Sequence, residues 1–427
     1  MAALIGSPGD RASARATCVI RRGRVRRPPL PAPSLAKAEM EEQMRGGRQR
    51  SRAGWAMVLV LALLLAGCAI GGDTGEIPQN ALDPAAGTVA EEQDALWNLV
   101  FPIAVGVFIL VQGLILFAVW RFRARGEERE LPKQVAGNTR LEIFWTIIPA
   151  LILALIAIPA VRTIFTLSTV DEDALNVRVI AKQYWWEFEY EDPAQEGVVT
   201  STQLHIPTGR EVRLSMQSVS SSVPYNPNEL PEGELTPTGS AAQGVIHSFW
   251  VPRLAGKVDV VPGHTREMKI VTDEPGLYLG QCAEFCGLAH ANMRFSVLAQ
   301  TPEEFEAWIA EQAEPAADAT EGMAAEGQRV FESAQCVACH AIGGYPTGGE
   351  PGGEPIPLDQ QPRVGPNLTH FNSRDNFAGG ILDVDSDEDL QAWLRNPQAE
   401  KPGAQMPNLN LSDEAIDTLV AYLRTLD

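Results

Sequence analysis

The stretch Cys282-Ala-Glu-Phe-Cys286-Gly-Leu-Ala-His290-Ala-Asn-Met293 holds the densest chemistry in the chain. Two thiols, an imidazole and a thioether this close together favour a soft, redox-active metal over calcium or magnesium. The thioether of Met293 further favours copper over zinc, because zinc sites use cysteine, histidine and carboxylate ligands. A second imidazole is available from His247, in a separate stretch upstream. The sequence therefore predicts a copper site that is closed by one loop and one distant strand.

Short β-branched and aromatic stretches, broken by glycine and proline, surround this loop from Ala174 onward. Many short strands with turn signals between them are typical of a β-sandwich or barrel. A loop ligand set plus one distant histidine is how a cupredoxin closes its metal site, so we predict an all-β cupredoxin-like domain over 174–300. The predicted strands are Asn176–Ala181, Tyr184–Tyr190, Gln203–Ile206, Val212–Gln217, Gly244–Val251, Arg266–Thr272 and Arg294–Ala299.

Two long apolar segments precede this domain, at Leu96–Trp120 and Ile143–Leu167. Each is long enough to cross a bilayer, which takes about 20 residues. The loop between them is rich in arginine and lysine, which marks the cytoplasmic side. The sequence thus predicts a two-helix transmembrane hairpin over 95–168. It is expected in a bacterial inner membrane, as a multi-pass protein with its later domains on the periplasmic face.

The residues before the hairpin divide into three predicted segments. Residues 1–43 lack hydrophobic periodicity and are predicted to be disordered or untranslated. Residues 44–68 combine several arginines, an apolar run and a small-residue pair before Cys68, which is the pattern of a lipoprotein-type signal peptide. Cys68 is the expected lipidation site, and residues 69–94 are a polar tether. An uncleaved anchor helix is the alternative.

The motif Cys-x-Glu-x-Cys-x-x-x-His-x-x-Met, with an upstream His-Ser-aromatic strand, resembles the dinuclear copper site (CuA) of cytochrome c oxidase subunit II. A membrane hairpin followed by a cupredoxin domain resembles the same family. The resemblance implies that the thiolates of Cys282 and Cys286 bridge two copper ions. It also implies that the imidazoles of His247 and His290 bind one copper each. The thioether of Met293 and the backbone carbonyl of Glu284 would complete the ligand set. The resemblance further implies that the Glu284 side chain faces a magnesium ion at the interface with subunit I. A disulfide-closed loop with an unrelated histidine and methionine is the alternative.

Two weaker matches to the same family lie outside the loop. The stretch Gln183–Tyr190 resembles the aromatic segment beside the copper, which implies electron transfer through Tyr184, Trp185 and Trp186. Tyr184 stands where many members of the family have the tryptophan that receives the electron. This difference argues against the family's usual docking of free cytochrome c. Packing of this strand on the membrane-facing subunit is the alternative.

Glu142 matches the glutamate that the family places at the mouth of a proton path, although it is also suited to capping its helix. Asp259 keeps its family position, near the expected magnesium. Gly244 departs from the family, in which many members have aspartate three residues before the copper histidine.

The C-terminal hundred residues contain Cys336-Val-Ala-Cys339-His340, the attachment pattern of c-type haem. Met406 lies between two predicted helices and is the candidate for the second axial ligand. The segment Val364–Leu368 resembles the c-type segment whose proline contacts the haem histidine, and His370 is expected at the surface. We therefore predict an all-α class I cytochrome c domain over 322–427, with covalently bound haem.

Helix signals support this division of the C-terminal part. Thr301-Pro-Glu-Glu304 combines a hydroxyl N-cap, a first-turn proline and a capping-box glutamate, which predicts a helix to about Gln312. A linker follows, so 301–321 is predicted to be a helix and a linker. Fusion of the cytochrome to the same chain would raise its effective concentration toward millimolar. Further helices are predicted at Ala324–Ser333, Asp387–Arg395 and Asp413–Leu426.

The charge distribution excludes a nucleic-acid partner. The formal charge is −20, yet residues 1–67 carry 12 basic and 4 acidic side chains, which leaves −28 on the rest of the chain. Binding to phosphates requires a cationic face, whereas an acidic surface attracts a basic protein. A basic electron donor is therefore compatible with the sequence, and so is a merely solubilising surface.

The resemblance and the haem motif together imply the subunit through which electrons enter a cytochrome c oxidase. Electrons would pass from a c-type haem through the copper pair to subunit I, for oxygen reduction coupled to proton pumping. The expected partners are subunit I, subunit III, membrane lipid and a reduced cytochrome c or other periplasmic donor. The alternatives are the corresponding subunit of a CuA-type nitric oxide reductase and a copper-binding or copper-delivery lipoprotein.

Overall fold

The computed structural model describes residues 79–83, 86–123, 134, 136–192, 197–220, 244–316, 319–346 and 354–427. The predicted N-terminal extension, the signal segment with Cys68 and the tether up to residue 78 lie outside these ranges. The described residues form a pair of long helices, a β-sandwich and a mainly helical C-terminal part. This order agrees with the fold class predicted from the sequence.

The two long helices are α1, Thr88–Phe122, and α2, Thr139–Ser168. Their most apolar windows have mean hydropathies of 2.6 and 2.4, and both helices are long and apolar enough to cross a membrane. Helix α1 begins at Thr88, inside the predicted tether, because Val89 is buried in the core of the sandwich. The N-terminal end of α1 therefore extends beyond the apolar segment and packs against the sandwich through Val89.

The β-sandwich consists of two five-stranded sheets, with strand orders β3-β2-β1-β5-β8 and β4-β10-β9-β6-β7. Its strands are β1 Leu175–Lys182, β2 Trp185–Tyr190, β3 Val199–Ser201, β4 Gln203–Pro207, β5 Val212–Ser218, β6 His247–Trp250, β7 Val258–Val260, β8 Arg266–Ile270, β9 Gly276–Cys282 and β10 Arg294–Gln300. All seven predicted strands are present, although β6 is shorter than predicted. Three others, β3, β7 and β9, were not predicted.

Strand β9 was missed because two glycines within it suggest a turn. Gly280 pairs with Phe295 of β10, and a Cβ atom at Gly280 would lie 2.3 Å from the Phe295 ring. Glycine is therefore needed in this strand because the neighbouring ring packs over the backbone. This strand leads directly into the loop with the four sulfur and imidazole side chains.

The C-terminal part begins with α3, Pro302–Gln312, whose predicted capping box between Thr301 and Glu304 is confirmed. It continues with helices α4 Gly322–Ser333, α5 Asp387–Arg395, α6 Pro397–Glu400 and α7 Asp413–Leu423, and with the short strands β11 Asn376–Phe377 and β12 Leu382–Asp383. Helices α4 and α7 cross closely at Gly327, where a Cβ atom would lie 1.9 Å from the Thr418 carbonyl oxygen. Beside the crossing, the Phe331 and Tyr422 rings meet edge to face at 5.6 Å.

The C-terminal part is packed against the sandwich through a buried group of charges. Arg363 donates to the Glu189 carboxylate at 2.5 Å, and its backbone carbonyl accepts from Lys182 Nζ at 2.7 Å. Lys182 also pairs with Glu187 at 3.2 Å. Burial lowers the pKa of Lys182 and raises that of Glu187, while their mutual attraction opposes both shifts. These buried charges hold the cytochrome part against the sandwich.

Replacing Gly327 with alanine is expected to lower the free energy of unfolding by about 1–3 kcal/mol, since the methyl group overpacks the α4–α7 crossing. In an unhindered helix the same change would stabilise the protein by about 0.5–1 kcal/mol. Denaturant titration of the purified chain, followed by the haem absorbance, measures the difference. Glu326→Ala, at the exposed neighbouring position, is the control. A Gly327→Ala variant as stable as the wild type would contradict the tight crossing.

Candidate metal centre and cofactor pocket

The loop after β9 brings two cysteine sulfurs together without joining them. Cys282 Sγ and Cys286 Sγ are 3.9 Å apart, and both thiols are free and buried. A disulfide requires about 2.05 Å, so the disulfide-closed loop is not formed. The Cys286 thiol holds the pKa of Cys282 well below its usual value, while Cys282 and burial raise the pKa of Cys286. One sulfur of the pair is thus readily available as a thiolate.

The two histidines lie on either side of this sulfur pair. His247 begins β6 and is fully buried, with Nδ1 at 3.8 Å from Cys282 Sγ. His290 begins a turn of 3₁₀-helix in the loop, and its Nδ1 is 3.7 Å from Cys286 Sγ. The nearest nitrogen and sulfur atoms of His247, Cys282 and Cys286 all lie within 4.8 Å of one another. A distant strand and a local loop therefore meet at one point.

A thioether and a carbonyl complete the cluster of donor atoms. Met293 Sδ is 3.8 Å from Cys286 Sγ, and the Glu284 carbonyl oxygen is 3.2 Å from Cys282 Sγ. Sulfur and imidazole donors suit copper, and a buried thioether does not suit zinc. His247 Nδ1 faces the Cys282 sulfur at 3.8 Å, so it is the nitrogen directed at a metal in this cluster. The residues present fit a copper pair.

The three aromatic candidates occupy different positions around this cluster. The Tyr184 hydroxyl accepts from the Leu288 amide at 3.1 Å, directly under the loop. The buried Trp186 ring lies edge to face against the His247 imidazole, with 5.9 Å between ring centres. Trp185 points the other way, into the cavity of the C-terminal part. Strand β2 is packed between the sandwich core and the C-terminal part, and not exposed to a membrane-facing partner.

Four further positions were compared with the family, namely Glu284, Asp259, Glu142 and Gly244. The side chains of Glu284, Asp259 and Glu142 are exposed. Asn138 is the N-cap of α2 and accepts from the amides of Arg140 and Leu141. Glu142 lies in the first turn, where a carboxylate is favoured by the helix dipole. At Gly244 a Cβ atom would lie 2.4 Å from Ser218 Oγ, which leaves no room for aspartate in this conformation.

The haem-attachment motif forms a tight turn that presents its histidine to a cavity. Cys336–Ala338 is a turn of 3₁₀-helix, and the His340 amide donates to the Cys336 carbonyl at 3.0 Å. His340 Nδ1 is 2.8 Å from the Pro366 carbonyl oxygen, which only accepts, so Nδ1 carries the proton. Burial lowers the pKa of His340. Nε2 is therefore free to bind iron, and the predicted contact with Pro366 is confirmed.

A cavity of about 540 Å³ opens beside this turn. Cys336, Cys339 and His340 line it, and Met406 lines the same cavity from the loop between α6 and α7. The remaining lining is largely apolar, with Phe331, Leu390 and Trp393 among the contributors. A large apolar cavity with two free thiols, an imidazole and a thioether fits a haem.

Sequence reasoning placed one histidine wrongly and missed a lysine. His370 is buried rather than at the surface, and its two ring nitrogens face the carbonyl oxygens of Asp427 and Glu314 at 2.6 and 3.0 Å. Lys401 is also buried, and Nζ donates to the Tyr184 carbonyl at 2.7 Å. Since its partner lies 217 residues away, no local pattern could have indicated this contact.

Comparison with known protein families agrees with this architecture. The family model for the transmembrane domain of cytochrome c oxidase subunit II matches residues 76–163. The model for the periplasmic domain of the same subunit matches residues 175–300, and the cytochrome c model matches residues 324–427. Fold and site thus define a membrane protein with a periplasmic cupredoxin-like domain and a cytochrome c domain.

Relatives from other bacteria align with this chain over most of their own length. Cytochrome c oxidase subunit 2 of Alkalihalophilus pseudofirmus OF4 is 35% identical over 378 residues, which covers 86% of this chain and 94% of that protein. The protein of the same name from Bacillus subtilis 168 is 34% identical and covers 87% of this chain and 98% of that protein. The chain therefore belongs to the cytochrome c oxidase subunit II family.

Among solved structures, the periplasmic domain of subunit II of cytochrome oxidase from Bradyrhizobium japonicum is 20% identical. The match covers 34% of this chain and 96% of the solved chain, with a TM-score of 0.27. Family membership makes this chain an oxidoreductase subunit that works with subunit I and a cytochrome c donor. The two cofactor-bearing domains imply a CuA copper centre and a haem.

Replacing Gly365 with alanine should disturb the haem histidine directly. The added Cβ atom would lie 2.6 Å from His340 Cε1, so the imidazole must rotate or shift. We expect a weakened low-spin haem spectrum and a loss of about 1–3 kcal/mol in stability, measured by optical spectroscopy and denaturation. Gly343→Ala is the matched control, since its Cβ would meet a methyl group of Thr369 at 3.1 Å. An unaltered haem spectrum in Gly365→Ala would show that His340 is not held in this way.

Proposed function

We propose that this chain is the subunit through which electrons enter a cytochrome c oxidase, passing from a c-type haem through a dinuclear copper centre to subunit I for oxygen reduction coupled to proton pumping. Subunit III and membrane lipid are further proposed partners. A reduced cytochrome c or another periplasmic protein is the proposed donor. The acidic balance of the chain after residue 67 would attract a basic donor over long range.

The proposal rests above all on the sulfur pair. Two free thiols 3.9 Å apart, with an imidazole nitrogen beside each, form a symmetric set of donors. Such a set would let Cys282 and Cys286 bridge two copper ions, with His247 and His290 as one terminal ligand each. Met293 and the Glu284 carbonyl would occupy the remaining positions. The copper pair, when bound, supplies a one-electron carrier whose charge is spread over two metals.

The C-terminal cavity would hold a haem covalently, through thioether bonds from Cys336 and Cys339. His340, with its proton on Nδ1, would present Nε2 to the iron on one side. Met406 would bind on the other, and a thioether ligand raises the potential of a haem. A copper-delivery lipoprotein has no use for this second site, so the cavity favours the oxidase subunit.

Tyr184 and the first two residues of β2, Trp185 and Trp186, would carry the electron between the two sites. Tyr184 lies under the copper loop and lines the haem cavity as well, whereas Trp186 contacts His247. Trp185 lines the cavity beside Tyr184. Tyr184 therefore contacts both sites, while Trp186 lies on the copper side and Trp185 on the haem side.

Three further roles are proposed from family position. The exposed Glu284 carboxylate is free to reach a magnesium ion at the interface with subunit I. Glu142, exposed in the first turn of α2, would serve as the entrance of a proton path. Cys68 would carry a lipid at the mature N-terminus, with the copper and haem domains on the outer face of the inner membrane.

Replacing Cys282 with serine should remove copper and leave the haem. We expect a fall in the copper content of the purified oxidase to less than about one tenth of the wild type, because one bridging thiolate is lost. The haem spectrum should stay unchanged. Metal analysis and electron paramagnetic resonance report the copper, and the haem absorbance serves as the internal control. Full copper content, or zinc in its place, would refute the copper assignment.

Replacing Met406 with leucine should lower the haem potential and slow reduction of the copper site, with the copper content unchanged. The volume is conserved, so the effect arises from the lost thioether ligand. Redox titration of the haem absorbance measures the potential. Met323→Leu, at an exposed position of α4, is the matched control. Equal potentials in both variants would exclude Met406 as the axial ligand.

A further inference from the structure

Lys401 is a buried lysine that joins three separate segments of the chain. Only 4% of the residue is exposed, and Nζ donates to the Tyr184 carbonyl at 2.7 Å and to the Ala378 carbonyl at 2.8 Å. Burial lowers the pKa of Lys401 to about 7, which reflects how strongly the ammonium group is desolvated. A group that is costly to bury is held here by two backbone carbonyls.

Each of the three segments belongs to a different part of the proposed electron route. Lys401 begins the loop that carries Met406. Ala378 follows β11 and lines the haem cavity. Tyr184 lines the same cavity, and its hydroxyl accepts from the Leu288 amide in the copper loop. Lys401 therefore connects two segments that line the haem cavity to Tyr184, the residue that also contacts the copper loop.

The backbones around Lys401 approach the copper loop closely. A Cβ atom at Gly403 would lie 2.7 Å from Leu288 Cβ, and one at Gly379 would lie 2.5 Å from the Asn292 carbonyl oxygen. The Arg294 amide also donates to the Gly379 carbonyl at 3.0 Å. Both glycines have positive φ angles, +95° and +76°. Two turns of the cytochrome domain thus rest on the copper loop at the points beside Lys401.

We propose that Lys401 is a positioning residue for electron transfer from the haem to the copper centre. It binds the Met406 loop to the Tyr184 carbonyl, and so keeps Tyr184 in contact with both sites. The proposal rests on the proposed function, since it presupposes a haem in the cavity and copper in the loop. The rate of electron transfer falls as the distance between the two centres grows, so the position of Tyr184 and the Met406 loop affects it.

The test is Lys401→Met in the assembled oxidase, which removes the ammonium group and keeps an apolar side chain of similar length. The haem is reduced by a laser flash with a ruthenium photoreductant, and reduction of the copper centre is followed in the near infrared. We expect transfer to slow by about tenfold or more, with haem and copper contents unchanged. Hydrogen–deuterium exchange should rise in residues 283–293 and 401–406.

The matched control is Gln203→Met, which removes another interdomain hydrogen bond, from Gln203 to Asp375 at 2.7 Å. This control should leave the transfer rate within about twofold of the wild type. Lys401→Gln, which keeps an N–H donor, is the second variant. It should transfer faster than Lys401→Met, and it replaces that variant if the methionine protein does not assemble.

Three results would overturn the role of Lys401. The first is a transfer rate in Lys401→Met equal to that of the control. The second is an equal slowing in both variants, which would show a general loosening of the interface. The third is a slowing that the measured haem and copper potentials account for in full. Absence of haem-to-copper transfer in the wild type would instead refute the proposed function.

Discussion

The architecture depends on keeping two cysteine sulfurs close, buried and unjoined. Their 3.9 Å separation is too long for a disulfide and is well suited to sharing metal ions. The β9–β10 pair fixes both ends of the loop, since the Cys282 amide donates to the Met293 carbonyl at 3.0 Å. Gly287, with φ +130°, turns the loop over Tyr184, where a side chain would collide with the hydroxyl. The surrounding strands and loop backbone thus set the shape of the metal site.

The same tyrosine connects the copper loop to the second half of the molecule. Tyr184 lines the haem cavity, its hydroxyl accepts from the copper loop, and its carbonyl accepts from Lys401. Strand β2 continues this connection, with Trp186 directed into the sandwich and Glu187 and Glu189 directed at Arg363. Every residue of β2 is buried as a result. A strand that would be half exposed in an isolated domain serves here as the boundary between two cofactor sites.

Sequence reasoning succeeded where ligands are close in the chain and failed where contacts are distant. The copper loop and the haem motif are local patterns, so their residues were identified, and His247 was found from its own strand pattern. Strand β9 was missed because Gly280 suggests a turn, although the glycine is there to admit the Phe295 ring. Lys182 and Arg363 contact each other across 181 residues, so no local pattern indicates that the cytochrome domain rests on the sandwich. A contact between two domains produces no hydrophobic periodicity in the sequence of either domain.

The ionic character of that docking has a physical reason. Lys182, Arg363, Glu187 and Glu189 carry two positive and two negative charges, so the buried group is neutral. Pairs of this kind add little to stability compared with apolar residues of equal volume, whereas breaking one partner away is strongly destabilising. An apolar interface would tolerate sliding or rotation by a few ångströms, but a buried charge that loses its partner would not. The interface therefore selects one orientation of the cytochrome domain. Electron transfer between two fixed centres needs that selectivity more than it needs binding strength, because the rate depends on geometry once the domains share one chain.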